Sequence, residues 1–238
     1  MNAGRVRASA PRAGMRELTF TASRRLTAGG FLWASLIQIF VVNNLIVLPR
    51  ASSQNLEEHI ISALGVTRCG LIGGFRFCSP WHEAADVAWI VGGWCLILGA
   101  VLNTVVFPPD RLRNLAFGVL AVSGLGLVST GFNPYNLRPA VHLLSAGTCF
   151  FCGAVGVLLL GGMLRQAQHP YWGAAGIACG VTSIVSATLT ALRPDPGVQG
   201  LFERIAAWPS VVWIICTGGL ILFSARRAAH GSAAADAP

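Results

Sequence analysis

Long apolar runs separated by short polar connections organise this chain. Six runs come close to the roughly 20 residues a helix needs to cross a bilayer core about 30 Å thick. They cover approximately Gly29–Leu48, Ala84–Phe107, Leu115–Gly131, Ala140–Leu164, Trp172–Leu192 and Ala206–Ser224. Hydrocarbon does not tolerate unpaired backbone groups, so the runs predict helices rather than loops. The polar–apolar alternation of a membrane barrel is missing. The expected fold is all-α: a polytopic integral membrane protein built as a six-helix transmembrane bundle over residues 29–225. A basic tail (1–28) precedes it and an Ala-rich tail (226–238) follows; both are expected to be disordered.

Prolines mark the boundaries. Pro49, Pro108-Pro109 and Pro134 close the first three runs, and Pro139 opens the fourth at a first-turn position. Ser79-Pro80 opens the second, with Ser79 as the expected N-cap. Trp33, Trp81, Trp89, Trp172, Trp208 and Trp213 stand near run ends, where amphipathic rings favour the membrane interface. Within the runs, Gln38 and Asn103 predict interhelical hydrogen bonds. Gly176–Gly180, with Ala175, Cys179, Ser183 and Ala187, predicts a small-residue packing face. No broken helix or inverted repeat of transporter type stands out.

Charge then sets the orientation. All 17 basic residues are Arg, against nine acidic ones, for a net charge of +8. With only 11% charged residues, the chain cannot cover a water-exposed surface, for which about 25% is usual. The arginines sit in tails and connections, and no basic helix interleaved with aromatics occurs, which argues against nucleic acid. With the N-terminus in the cytoplasm, eleven arginines lie inside and six outside, so both termini are expected to be cytoplasmic. Arg, Ala and Gly in abundance without Lys suggest a GC-rich bacterial genome, hence a bacterial plasma membrane. A cleaved signal peptide is the rival reading of the first run, but that run exceeds the usual core of about 7–15 residues. A retained helix is expected.

This topology puts residues 51–83 outside, in an oxidising space. Cys69 and Cys78 are then expected to form a disulfide, with Gly70, Gly73 and Gly74 letting the chain turn between them. Cys95, Cys149, Cys152, Cys179 and Cys216 fall inside runs. The Cys149-x-x-Cys152 spacing is redox-like but sits mid-helix, where small residues serve packing.

Three stretches carry a resemblance. They are "HIISALG" (His59–Gly65) followed by "CG" and "CSPWH" (Cys78–His82); "GFNPYNLRPAVHLLSAG" (Gly131–Gly147); and "GLFERIAAWP" (Gly200–Pro209). Their order and their placement relative to the runs resemble an uncharacterised membrane family, domain-of-unknown-function family 998. The resemblance extends from about Asn44 to Leu222. It implies the fold and topology and brings no activity with it. The chain departs from the family at Ala63, where members usually carry an acidic residue; Glu57 or Glu58 is the candidate replacement.

All three stretches fall at the outer surface, where candidate chemistry gathers. Asn43 and Asn44 end the first run. His82 and Asp86, four apart, share a helix face beside Glu83. His142, Ser145, Cys149 and Cys152 form one stripe on the fourth helix. Arg138 precedes that helix, and Asp195, Glu203 and Arg204 are expected in the last outer loop. Ionisable groups at membrane depth usually mark function, so His82, Asp86, His142 and Glu203 are the candidate catalytic residues. His82, Asp86 and His142 are candidate ligands for a divalent metal, though no cofactor is required. The plainer reading is structural: carboxylates favour helix N-termini, and arginines can pin loop to helix. No zinc-protease, Gly-x-Ser-x-Gly or phosphate-loop pattern occurs.

The leading expectation is a non-catalytic lipid- or amphiphile-binding, or accessory, envelope protein with an outward-facing polar pocket. The alternative is a membrane-embedded hydrolase or transferase acting on lipid head groups. A solute transporter ranks last, because the cytoplasmic helix halves hold few polar groups. Membrane lipids are the expected partners, and the sequence leaves monomer and homodimer open.

Overall fold

The computed structural model describes residues 24–235, apart from 53–54, 58, 73–74, 168, 193–194 and 196. Most of the expected N-terminal tail therefore lies outside the described residues. Six helices are long and apolar enough to cross a membrane. They are α1 (Arg24–Arg50), α2 (His82–Asn103, continuing as a 3-10 turn over Thr104–Val106), α3 (Arg111–Phe132), α4 (Pro139–Gln166), α5 (Pro170–Leu192) and α6 (Gln199–Ala235). The chain is a multi-pass membrane protein in which successive helices from α2 to α6 pack as neighbours. The connections alternate between two ends. The described residues of 51–81, 133–138 and 195–198 lie at one, the cap end; Arg24, the connection at 107–110 and residues 167 and 169 lie at the other.

Several boundaries differ from the sequence reading. Asp110 accepts from the Arg113 N–H at 2.6 Å and caps α3 five residues before the apolar run begins. The α6 helix begins at Gln199, not near Ala206, so Glu203 and Arg204 are helical rather than in a loop. It also continues through Ala235, so the Ala-rich tail expected to be disordered is helical to that point; alanine is the strongest helix former. Ser79 is not the N-cap of α2: the helix starts at His82, and the buried Ser79 hydroxyl donates to the Leu64 carbonyl at 2.6 Å. The α1 helix is irregular, with a turn at 35–36 and a π-helical stretch at Val41–Val47, and α6 carries Pro209 in its interior. Proline has no N–H, so the Ile205 carbonyl lacks its usual helical donor.

The expected small-residue face is an interior one. A Cβ on Gly176 would stand 2.8 Å from the Trp213 ring, and one on Gly180 would stand 2.7 Å from the Ala154 carbonyl. Ser183, further along, is fully buried and bonded to Ser210 Oγ at 2.9 Å. The α1 and α6 helices touch backbone to backbone, because a Cβ on Gly218 would lie 2.6 Å from the Ala34 nitrogen. Gln38 donates to the Ala88 carbonyl at 2.8 Å, the expected interhelical bond.

Trp33, Trp89 and Trp213 are buried in the bundle rather than placed at the interface. Their area joins the core, and Trp33 and Trp213 direct their indole N–H groups at the Leu96 and Trp172 carbonyls. Trp81 alone of this group is strongly exposed, and Arg50 stacks over it at 4.4 Å. Large apolar side chains such as Val87, Val101, Leu143 and Leu144 face outward, as a lipid-facing surface requires.

Candidate functional site

The described residues of 51–81 fold over the cap end. A two-stranded antiparallel hairpin, β1 (Gly70–Ile72) and β2 (Phe75–Phe77), pairs Gly70 with Phe77. The Cys69–Cys78 disulfide closes it immediately beyond that pair, with the Cα atoms 4.2 Å apart. Cys78 and Ser52 exchange two bonds, of 2.8 and 3.0 Å, tying the hairpin to the end of α1. A 3-10 segment, Ile61–Gly65, lies buried beneath. Cys69→Ser is expected to lower stability by about 2–3 kcal/mol, in line with the constraint a short cystine loop places on the unfolded chain. Thermal unfolding with and without reductant checks this: wild-type protein should fall to the variant's value when reduced.

Three anchors hold the cap down. Glu203, 5% exposed, accepts from the Ile61 N–H through Oε2 and from Ser62 Oγ at 2.8 Å through Oε1. Arg204 donates through Nη1 to the carbonyls of Leu56, His59 and Gly200 at 2.8, 2.6 and 2.9 Å. Asn136 accepts from the Thr67 N–H and donates to the Thr67 hydroxyl, each at 3.1 Å. Glu203 and Arg204 thus tie α6 to the cap through backbone and hydroxyl groups.

Beneath the cap an apolar cleft runs into the bundle. Its cavity volume is about 90 Å³. Ile61, Ser62, Asn43 and Glu203 form its cap end; Leu36, Leu96 and Ile214 form its floor. Phe40 of α1 and Trp208 of α6 both line it and meet with ring centroids 5.5 Å apart. The Asn43 side-chain oxygen is buried and has no hydrogen-bond partner among the described residues. The irregular part of α1 and the Pro209 region of α6 therefore both lie along the cleft, a common setting for irregular helical backbone.

The sequence-predicted residues separate into distinct environments. Asn43 and Glu203 line the cleft; Asn44 instead donates to the Phe40 carbonyl at 3.0 Å. His82 Nδ1 and Asp86 Oδ2 stand 3.6 Å apart at the start of α2, with exposed Glu83 beside them. Asp86 packs on Gly65, where a Cβ would come within 2.3 Å of Oδ1. His142 is fully buried, its Nδ1 2.7 Å from the Asn133 carbonyl and its ring edge-on to Tyr135 at 5.6 Å. A carbonyl only accepts, so the proton sits on Nδ1. Arg138 is exposed and donates to Asn133 Oδ1 at 3.2 Å. Ser145 bonds Ser129 at 2.7 Å, and Cys149 lines the cleft below. Among the described residues no three His, Cys, Asp or Glu side chains come together as a metal-holding group. Ser62, Phe40 and Trp208 were absent from the sequence-derived set, since a lone serine and two aromatics in apolar runs carry no signal of their own.

Comparison with curated proteins gave no match, and comparison with solved structures gave none. The profile described as Protein of unknown function (DUF998) matches residues 32–219, a stretch that takes in the cleft-lining parts of all six segments except α5, together with the cap. On that match, with the six helices and the capped cleft in place, the chain belongs to the DUF998 family.

Proposed function

We propose that the protein binds a lipid or other amphiphile in the capped cleft, with the apolar chain between α1 and α6 and the polar head under the cap. The observation that carries this reading is the buried Asn43 oxygen at the polar end of a cleft lined mostly by apolar side chains. A buried acceptor with no donor costs about 1–3 kcal/mol. A bound head group that donates a hydrogen bond, such as a hydroxyl or ammonium, relieves that cost. Glu203, with lone pairs left over beyond its two cap bonds, adds a second acceptor at the same place. The arginine bias supports an orientation with this end on the outer face of a bacterial plasma membrane, where such head groups are abundant.

Native mass spectrometry of the purified protein tests the proposal. Wild-type protein should retain a lipid-sized adduct. Asn43→Leu removes the acceptor and fills the head-group end, so retention should fall about tenfold, the equivalent of one lost buried hydrogen bond. Wild-type protein without an adduct, or a variant that retains it equally, would refute the assignment.

A further inference from the structure

A second cavity opens at the opposite end of the bundle, and nothing above uses it. Its volume is about 550 Å³, against about 90 Å³ for the cleft under the cap. Small-molecule sites usually span about 300–1,000 Å³. The two spaces share no lining residue, and Leu120 and Val157, neither exposed, lie between them on α3 and α4.

The inner walls are apolar and aromatic. Trp172 and Trp213 stack at 5.9 Å and 16°, and Trp33 and Phe117 stack at 6.1 Å and 16°. Their polar atoms are already spent. The three indole N–H groups go to the Thr217 hydroxyl, the Trp172 carbonyl and the Leu96 carbonyl, and Thr217 donates in turn to the Trp213 carbonyl at 2.7 Å. Asn103 adds nothing here. The sequence predicts an interhelical hydrogen bond for it, and the structure corrects that: its amide has no partner among the described residues. It is fully buried with its oxygen packed against Gly29, so the amide is not presented to the cavity. The interior therefore suits a hydrocarbon chain, and polar recognition falls to the mouth.

The mouth is rich in donors. His169 and Ser224 line the cavity and are exposed. A histidine ring carries at least one N–H in every protonation state, and serine supplies an O–H. His169 is the only ionisable side chain among the described lining residues. It stands immediately before α5, whose positive dipole end therefore meets the mouth. Arginines surround it. Leu26 and Leu164 line the cavity and adjoin Arg25 and Arg165 in the chain, and the carbonyl of lining Phe107 accepts from Arg113 Nη1 at 3.3 Å. Among the described residues Asp110 is the only acid at this end, and its carboxylate already caps α3.

We infer that this cavity is a second ligand site, for a single-chain anionic lipid such as an alkyl phosphate. The chain lies along the stacked aromatic walls, and the anionic head stays at the mouth among His169, Ser224 and the arginines. Imidazole and guanidinium N–H groups make charge-assisted hydrogen bonds to such a head, and nothing acidic opposes it. The site stands independently of the reading given for the capped cleft.

Native mass spectrometry of delipidated protein with three probes of one chain length tests it: dodecyl phosphate, dodecanol and dodecyltrimethylammonium. Wild-type protein should retain the phosphate about tenfold or more over the alcohol and the cation. His169→Ala combined with Arg165→Ala should cut phosphate retention about tenfold. Arg76→Ala removes the same charge at the cap end and should leave it unchanged. All three substituted side chains are exposed, so none supports the core. Asn43→Leu should also leave the preference intact, which separates this site from the capped cleft. Inorganic phosphate at the probe concentration should not displace the lipid, because the chain supplies part of the binding. Equal retention of phosphate and alcohol by wild type, unchanged retention in the double variant, an equal loss in Arg76→Ala, or displacement by inorganic phosphate would each overturn the inference.

Discussion

Replacing Glu203 with Ala is expected to destabilise the protein by about 3 kcal/mol or more. The carboxyl group accepts from the Ile61 N–H and the Ser62 hydroxyl, and it is 5% exposed. Truncation leaves both donors without an acceptor in a site that water hardly reaches, at about 1–3 kcal/mol each. For a chain of this size, 3 kcal/mol corresponds to a melting-temperature drop of about 6–12 °C. Glu203→Gln keeps one acceptor and should fall between. Tryptophan fluorescence during thermal unfolding in detergent reads the effect. A drop within about 1 kcal/mol for Ala would mean that Glu203 does not anchor the cap, and would return it to the catalytic candidates.

Gly218→Val should be comparably severe for a different reason. A Cβ at Gly218 would lie 2.6 Å from the Ala34 nitrogen, 2.7 Å from the Gly30 carbonyl oxygen and 2.8 Å from Trp33 Cβ. Backbone cannot rotate out of the way as a side chain does, so α1 must move off α6. Overpacking of this kind costs about 1–3 kcal/mol, and the branched side chain puts Val at the upper end. Displacement of α1 also shifts Leu36 and Phe40, which line the cleft. Gly219 supplies the control: a Cβ there meets nothing within 4 Å, so Gly219→Val should leave the melting temperature near wild type. Equal behaviour of the two variants would mean that α1 and α6 do not make this close contact.

The six helices were legible because lipid enforces them: a long apolar run in hydrocarbon has helix as its only solution. The disulfide and the His82–Asp86 contact were legible because both follow from short sequence spacing, nine and four residues. What misled the reading of α6 was polarity. Glu203 and Arg204 look like loop residues until the backbone groups that satisfy them are known. Those groups lie some 140 positions earlier in the chain, at Leu56, His59, Ile61 and Ser62. No local pattern carries that information. The hairpin in the cap was readable in principle, from Gly73-Gly74 between two short apolar segments. The π-helical stretch of α1 was not, because Val-Val-Asn-Asn-Leu-Ile-Val continues an ordinary apolar run.

The candidate site was half legible for the same reason. Asn43 and Glu203 were found by polarity, and the structure brings both to one cleft. His82 and Asp86 pair with each other, and His142 turns to the Asn133 carbonyl. Shared placement near one membrane surface therefore did not mean shared contacts. Asn103 shows the converse. A buried amide in a helix reads as an interhelical bond, and only the absence of a partner among the described residues marks it out.

Photo-crosslinking with a diazirine-bearing fatty alcohol, followed by peptide mapping, tests the capped cleft most directly. The alcohol supplies the donor that Asn43 lacks, and its chain carries the reactive group into the cleft. Crosslinks should concentrate on Phe40, Cys149–Gly153 and Trp208–Ile214, and should fall in Asn43→Leu. Crosslinks confined to outward-facing positions such as Val87, Val101 and Leu144, unchanged by that substitution, would contradict the account.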